Sequence, residues 1–153
     1  MDEKLNLRKV LTGKDGRLYV TINGKTYFLA ETSAFTATLN FTNADVQPIG
    51  SILSGAVPAS VTVGITLTEF YVRDDVMMTP ILEALAQGYV PVFDFQGVLD
   101  RTMIDGTESR HTFRDCVPDG SVNINNFTPG EVVTREWTFR GNALPEQIKA
   151  FAA

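Results

Sequence analysis

The chain has 153 residues, a hydrophobic fraction of 44%, a charged fraction of 20% and a formal net charge of −5 at pH 7. This length suffices for one domain that buries about 68–70% of its unfolded surface, and we expect residues 1–153 to form a single domain. The acidic balance argues against a free-standing nucleic-acid binder, because such proteins neutralise phosphates with clustered basic residues. The single cysteine excludes an internal disulfide. The charged start and the lack of a long apolar run predict cytosolic synthesis without a membrane anchor.

The amino-terminal region is predicted to be an arm followed by a hairpin. Residues 1–15 show only a weak apolar pattern, and we expect their order to depend on a neighbour. Residues 17–23 alternate between apolar and polar side chains, and residues 25–31 form the predicted return strand. Asn23 and Gly24 between them are the strongest short-range hairpin signal, because a type I′ turn requires positive φ at both central positions.

Two long alternating segments, residues 35–42 and 61–68, dominate the sequence. Strict period two with β-branched residues predicts half-buried strands. The apolar set is Phe35, Ala37, Leu39, Phe41, Val61, Val63, Ile65 and Leu67, and the opposite set is Thr36, Thr38, Asn40, Thr42, Thr62, Gly64, Thr66 and Thr68. The second set contains no charge, whereas a solvated sheet face normally carries Lys and Glu. We therefore expect this face to meet other protein strands or to line an enclosed space.

Residues 43–60, which connect these segments, are predicted to form a long assembly loop. Structureless connections beyond about 12–15 residues are uncommon in compact domains and are usually functional or disordered. Scattered apolar residues indicate a segment that becomes ordered by contact with another copy, and the alternative is an Ω-loop packed on its own subunit. The apolar residues assigned to this contact are Val46, Ile49, Ile52, Leu53 and Val57.

A bend and a helix are predicted next. The alternation changes phase after Leu67, which indicates a β-bulge near Thr68 and Glu69. Residues 76–87 show helical spacing, with Asp74 or Asp75 as the N-cap and Gly88 as the stop, and the early Pro80 gives a start nearer Thr79 as the alternative. The predicted apolar stripe of this helix is Met77, Ile81, Leu82 and Leu85.

The last third of the chain is predicted to be mainly strand. The predicted strands are residues 90–100, 111–117, 121–127 and 131–140, with a helical turn at residues 145–151. Phe93, Phe95 and Leu99 share one face of the first of these strands, and Trp137 is the expected core anchor of the last. Seven or eight strands with one helix predict a mainly β fold, an antiparallel sandwich or barrel with one flanking α-helix.

No catalytic, metal-binding or cofactor-binding constellation is predicted. His111 is the single histidine; Asp115 shares its face in a regular strand, whereas Cys116 does not, which argues against a Cys–His pair. Cys116 is interpreted as a small buried hydrophobe. Asp74 with Asp75, and Asp100 with Asp105, are explained by capping and by loop solvation without calcium.

The order of these features resembles a known family, the tail-tube proteins of contractile-tailed bacteriophages, prophages and phage-derived bacteriocins of Gram-positive bacteria. The resemblance extends over residues 12–151 and rests on order and spacing, with no signature motif. The segments that carry it are residues 12–20, residues 34–41, the loop with Ile49 and Gly50, residues 64–72, residues 90–100 and residues 137–139.

The resemblance implies a non-enzymatic structural subunit that forms stacked hexameric rings. Strands of adjacent subunits would pair into an inner barrel, and DNA would pass through the channel without specific binding. The expected partners are the protein itself and sheath, tape-measure and baseplate proteins, in a virion tail or phage-like particle synthesised in the host cytoplasm. The expected lumen-facing residues are Thr36, Thr38, Asn40, Thr42, Thr62, Thr66 and Thr68.

Three other interpretations remain open from the sequence. The first is a ring-forming tube protein of a type VI-like or other contractile injection system, on the same fold. The second is an unrelated ligand-binding β-sandwich, which would expose Trp137 and Tyr71 on a platform. The third is a hydrolase, for which no nucleophile–base pair is visible.

Overall fold

A computed structural model describes residues 16–29, 32–70, 75–101, 106–125 and 128–150. The predicted arm at residues 1–15 lies outside the described residues. The elements in chain order are β1 (Gly16–Ile22), β2 (Lys25–Phe28), β3 (Thr32–Val46), β4 (Gly55–Phe70), α1 (Met78–Ala86), β5 (Phe93–Arg101), β6 (Thr107–Pro118), β7 (Thr134–Gly141) and β8 (Glu146–Lys149).

The strands form one antiparallel sheet that folds over onto itself. The strand order is β2-β1-β5-β6-β7-β4-β3, and β8 pairs with β6 off this path. The ring of Phe35 on the edge strand β3 lies 6.1 Å from the ring of Phe113 on β6. A Cβ atom added to Gly97 on β5 would lie 3.2 Å from the Phe35 ring, so the absent side chain permits this close approach. The prediction of a mainly β sandwich or barrel with one helix is confirmed for the described residues.

Aromatic side chains fill the space inside the folded sheet. Phe139 lies at the centre, with its ring centroid 4.8 Å from that of Phe95, 5.3 Å from that of Phe93 and 6.0 Å from that of Trp137. Trp137 is only 1% exposed, so its predicted role as a core anchor is confirmed. Its burial also contradicts a ligand-binding platform built on Trp137, and Tyr71 lies outside the described residues.

The first hairpin follows its predicted turn. Asn23 and Gly24 have φ values of 51° and 80°, as a type I′ turn requires. The return strand β2 ends at Phe28, which is shorter than the predicted residues 25–31.

The helix exists, and its predicted apolar stripe is confirmed at Met77 and Ile81, which are 2% and 8% exposed, but not at its other two positions. Its buried residues are Met78, Ile81 and Ala84, whereas Leu82 and Leu85 are 48% and 51% exposed. The predicted aspartate cap is also wrong, because the N-cap is Met77, without a side-chain capping bond. The helix begins at Met78, later than residue 76 and close to the alternative start near Thr79.

The helix stop at Gly88 is confirmed. Gly88 has a φ of 91°, which glycine adopts without steric cost. Its N–H donates to the Leu85 carbonyl and the Tyr89 N–H donates to the Ala84 carbonyl. These two bonds form a Schellman motif that satisfies the last carbonyls of α1.

The predicted phase change after Leu67 does not occur. Val63, Ile65, Leu67 and Glu69 are all buried, and Phe70 is 43% exposed. The irregularity lies in the partner strand instead, where the register moves from Thr32↔Glu69 to Ala34↔Thr68. The prediction was wrong because Glu69 takes an inward position that normally belongs to an apolar residue.

The carboxyl-terminal region differs most from the prediction. The predicted helical turn at residues 145–151 contains the strand β8, which pairs with β6. Residues 121–125 form no strand, and residues 126–127 lie outside the described part. The strand predicted from residue 90 begins at Phe93, and Leu99, predicted to share its apolar face, is 42% exposed.

Salt bridges join β8 to β6, and the stabilisation that they provide should depend on pH. Lys149 Nζ lies 3.0 Å from Glu108 Oε1, and the hydrogen bond from Lys149 is the main cause that lowers the pKa of Glu108 below its ordinary 4.5. Because the folded pKa is the lower one, the stabilisation is complete above the ordinary pKa and is lost as the pH falls through the lowered pKa. An NMR titration should show the Glu108 pKa rising in Lys149→Ala. An unchanged pKa would contradict this assignment.

Candidate assembly surface

The hairpin of β3 and β4 extends beyond the rest of the sheet. Residues 63–70 of β4 pair with β7 on one side, and residues 63–69 pair with β3 on the other. Residues 55–62 pair only with β3 within the described part of the chain. At about 3.3 Å per residue this second stretch projects roughly 26 Å. We call residues 39–62, which comprise this projecting hairpin and Leu39 at its base, the arm; it is distinct from the predicted amino-terminal arm at residues 1–15.

Most of the predicted loop at residues 43–60 is strand, so the predicted bounds are wrong. The strands continue to pair through Asn43↔Pro58 and Val46↔Gly55, which leaves a connection of residues 47–54 only. Pro58 misled the prediction because proline cannot donate to a sheet ladder. Pro58 is tolerated because it lies beside the register shift between Thr42 and Asn43. Among the described residues, this end of β4 also has no second neighbouring strand.

The apolar residues assigned to assembly are all exposed, and three of them lie at the end of the arm. Residues 47–54, here called the tip, carry Ile49, Ile52 and Leu53, which are 106%, 100% and 77% exposed. Val46 and Val57 lie on the strands beside the tip and are 48% and 50% exposed. An Ω-loop packed on its own subunit does not fit this exposure.

The structure brings the predicted lumen-facing residues together on one face, here called the hydroxyl face. Cross-strand partners lie on the same side of an antiparallel pair. The pairs Thr36↔Thr66 and Asn40↔Thr62, with Thr38 opposite Gly64, therefore form a continuous surface. Its members, all exposed or half-buried, are Thr36, Thr38, Asn40, Thr42, Thr62, Thr66 and Thr68.

The side chains of Thr38 and Asn40 on β3 lie beside Gly64 of β4. The Thr38 hydroxyl donates to the Gly64 carbonyl at 3.4 Å, and the Asn40 amide donates to the Thr38 hydroxyl at 3.5 Å. A Cβ atom on residue 64 would lie 3.2 Å from the Thr38 hydroxyl oxygen. The absent side chain thus leaves room for this local hydrogen-bond network.

Strand β7 adds charged residues to the hydroxyl face, which the sequence prediction missed. Thr66 pairs with Thr138, Thr68 with Glu136 and Gly64 with Arg140. The alternation of residues 131–140 placed Glu136 and Thr138 on one parity. Only the strand order, which β4 shares with β7, shows that they continue this surface.

The opposite side of the arm carries an exposed apolar patch. Leu39, Phe41 and Val61 are 48%, 69% and 47% exposed, and Phe41 and Val61 are register partners. We call these three residues the arm patch. In addition, β3 pairs only with β4 among the described residues, so its outer edge presents free backbone groups.

The prediction that Cys116 lies on the opposite face of its strand from His111 is wrong, because β6 contains a bulge. A bulge places Arg114 and Asp115 opposite Asp94, and the Asp115 N–H donates to Asp94 Oδ1 at 3.0 Å. Cys116 therefore faces the core like Phe113. Burial raises the pKa of the Cys116 thiol to about 12, so it is protonated at neutral pH and a poor nucleophile. Within the described ranges no three His, Cys, Asp or Glu residues lie together as metal ligands.

Comparisons with known proteins give one family match. The family model described as phage tail tube protein matches residues 3–142. No protein of curated function matches the chain in sequence. No helix among the described residues is long and apolar enough to cross a membrane.

Solved structures share the fold at low sequence identity. A chain in the six-fold symmetrised baseplate structure of the anti-feeding prophage has a TM-score of 0.68 and 9% identity, covering 92% of this chain and 97% of that one. A chain in the PVC sheath/tube terminator of an extracellular contractile injection system has a TM-score of 0.67 and 10% identity, covering 92% and 99%. A chain in the virion of a native gene transfer agent has a TM-score of 0.59 and 15% identity, covering 90% and 98%.

Proposed function

Because the chain belongs to the phage tail tube protein family, we propose that its copies associate through their arms into hexameric rings that stack into a tube. The observation that carries this proposal is the open edge of β3 on an arm that projects beyond its own sheet. A strand from a neighbouring copy would satisfy the free backbone groups of that edge. Six copies joined in this way would close their sheets into one inner barrel, which has no edges.

The hydroxyl face would line the channel of that tube. The arm patch lies on the opposite side of the same strands, so burying Leu39, Phe41 and Val61 between copies turns the threonines toward the lumen. The neutral hydroxyl and amide groups of this face remain hydrated and do not hold phosphates as lysine and arginine do, and Glu136 opposes the charge that Arg140 adds at its β7 side. A net charge of −5 per copy further disfavours retention of DNA, which would pass through without specific binding.

The exposed side of α1 would face outward, toward a sheath. The helix packs on the core side of the sheet through Met78 and Ile81, and the hydroxyl face lies on the other side. Leu82 and Leu85 are exposed on the helix surface and would contact a sheath subunit. Tape-measure and baseplate proteins are the further proposed partners, in a tail or phage-like particle assembled from protein made in the host cytoplasm.

A second candidate is the tube protein of a contractile injection system. The anti-feeding prophage and PVC chains, which share the fold, come from particles of this type. Both candidates use the same rings and the same arm. They differ in what passes through the channel, and genes for a capsid beside this one would favour the virion.

Electron microscopy of the purified protein tests the proposal. Concentrated wild-type protein should form rings or tubes with six-fold symmetry, and a protein that stays monomeric at high concentration would contradict it. Thr38→Arg places a cation on the exposed hydroxyl face and should impair assembly or DNA passage while leaving the circular dichroism spectrum unchanged. A variant that unfolds instead would contradict the lumen assignment.

A further inference from the structure

An apolar groove lies at the end of the molecule opposite the tip of the arm. It has a volume of about 570 Å³ and opens between the first residues of β3 and the strands β1, β5 and β6. Its apolar walls are Leu18, Phe35, Leu99 and Phe113, and its polar members are Arg17, Thr32, Ser33, Ser109 and His111. Leu99 at this groove is 42% exposed, and Phe35 and Ala37 are half-buried. An exposed leucine beside partly exposed apolar side chains in one concave site indicates a binding surface.

The tip has the chemistry that suits this groove. Residues 47–54 contain no charged side chain, and Ile49 and Ile52 are fully exposed. Removing apolar side chains of this size from water favours association. Backbone hydrogen bonds and the Gln47 and Ser51 side chains hold the tip together: Ser51 N–H donates to the Pro48 carbonyl, and Gln47 Nε2 donates to the Ser51 carbonyl.

The positions of tip and groove favour contact between copies. The groove includes Thr32 and Ser33, at the start of the strand whose last residue is Val46. Fourteen steps at about 3.3 Å separate the two ends of β3 by roughly 46 Å, so the tip of a chain cannot reach its own groove. A translated copy brings the tip of one molecule to the groove of the next, and such a head-to-tail contact repeats without closing.

We propose that the tip of each copy inserts Ile49 and Ile52 into the apolar groove of a copy in the adjacent ring. This inference rests on the proposed stacking of rings and names the surface that receives the tip. The β3 edge and the arm patch would then join copies within a ring, and the tip and groove would join successive rings.

Disulfide trapping tests the contact directly. In Ile52→Cys combined with Leu99→Cys, oxidation of assembled protein should give a ladder of trimers and longer species on a non-reducing denaturing gel. Each single variant should give dimers at most, because one cysteine cannot extend a chain, and the native Cys116 is 0% exposed. Ser109→Cys, at the register partner of Leu99, replaces Leu99→Cys if that variant does not fold. The matched control is Val132→Cys with Leu99→Cys, since Val132 is 74% exposed and lies outside the tip.

The outcomes separate this inference from the proposed function. Tubes that form without a ladder would overturn the tip contact and leave the tube function standing, whereas a wild-type protein that forms no rings would overturn the function. An internally cross-linked monomer in Leu7→Cys with Leu99→Cys would assign the groove to the chain's own residues 1–15 and overturn the inference. Ile52→Asp should leave rings and abolish tubes, and Val132→Asp should leave both; tubes in Ile52→Asp would overturn it.

Discussion

Trp137→Ala should lower the free energy of unfolding by about 3–5 kcal/mol, the range for removing a large aromatic side chain from a core. Trp137 is 1% exposed and stacks on Phe139 at 6.0 Å. Its indole N–H also donates to Glu69 Oε1 at 2.7 Å. The substitution therefore leaves a cavity and removes a hydrogen-bond donor from a carboxylate that is only 8% exposed. Denaturant unfolding of unassembled protein measures the loss.

Trp137→Phe separates the two contributions. Phenylalanine retains much of the ring packing but provides no donor, so the expected loss is about 1.5–3 kcal/mol, the range for a hydrogen bond to a charged group. The variants Glu69→Gln and Trp137→Phe should show non-additive effects, because both alter the same hydrogen bond. Equal losses in Trp137→Phe and Trp137→Ala would show that packing contributes little and would contradict this account of the core.

The bond from Trp137 belongs to a buried polar cluster that the sequence did not predict. Arg135 is 2% exposed, and its guanidinium lies 3.9 Å from Glu69 Oε1. It also donates to the carbonyls of Asn123 and Ile124 at 2.8 Å, which ties residues 121–125 to β7. Charged residues default to the surface in sequence analysis, and the partners of this cluster lie far apart in the chain.

Local patterns predicted those elements that depend on neighbouring residues. Period two gave the two faces of the arm, and the Asn23-Gly24 pair gave a turn whose φ values the structure confirms. Gly88 ended the helix for the same local reason. Each of these features rests on backbone geometry over a few residues, so a single sequence contains the required information.

Long-range pairing decided the features that the prediction missed. The strands run through residues 43–46 and 55–60 because each pairs with the other, although Pro58 and Gly55 read as loop residues in isolation. The bulge at Asp115, with a φ of 56°, reverses the parity of Cys116 and has no signal in a regular alternation. The charges of Glu136 and Arg140 joined the hydroxyl face only because β7 is the neighbour of β4.

Phe41→Asp should abolish assembly while changing the stability of the isolated subunit by no more than about 0.5 kcal/mol, as expected for a surface position. Phe41 is 69% exposed, so its ring adds little to the fold of one molecule. In the proposed hexamer the Phe41 phenyl group is buried between copies, where a carboxylate without a partner is strongly unfavourable. Electron microscopy and sedimentation should show monomers, with an unfolding midpoint close to that of the wild type.

Thr42→Asp is the matched control, because it introduces the same carboxylate one residue away on the same exposed strand. Successive side chains of a strand point to opposite faces, so Asp at position 42 lies on the hydroxyl face and remains hydrated in the proposed lumen. This variant should form rings and tubes like the wild type. If Thr42→Asp blocked assembly and Phe41→Asp did not, the two faces of the arm would be reversed. The threonines would then lie between copies, and the apolar side chains would line the channel through which DNA and water pass.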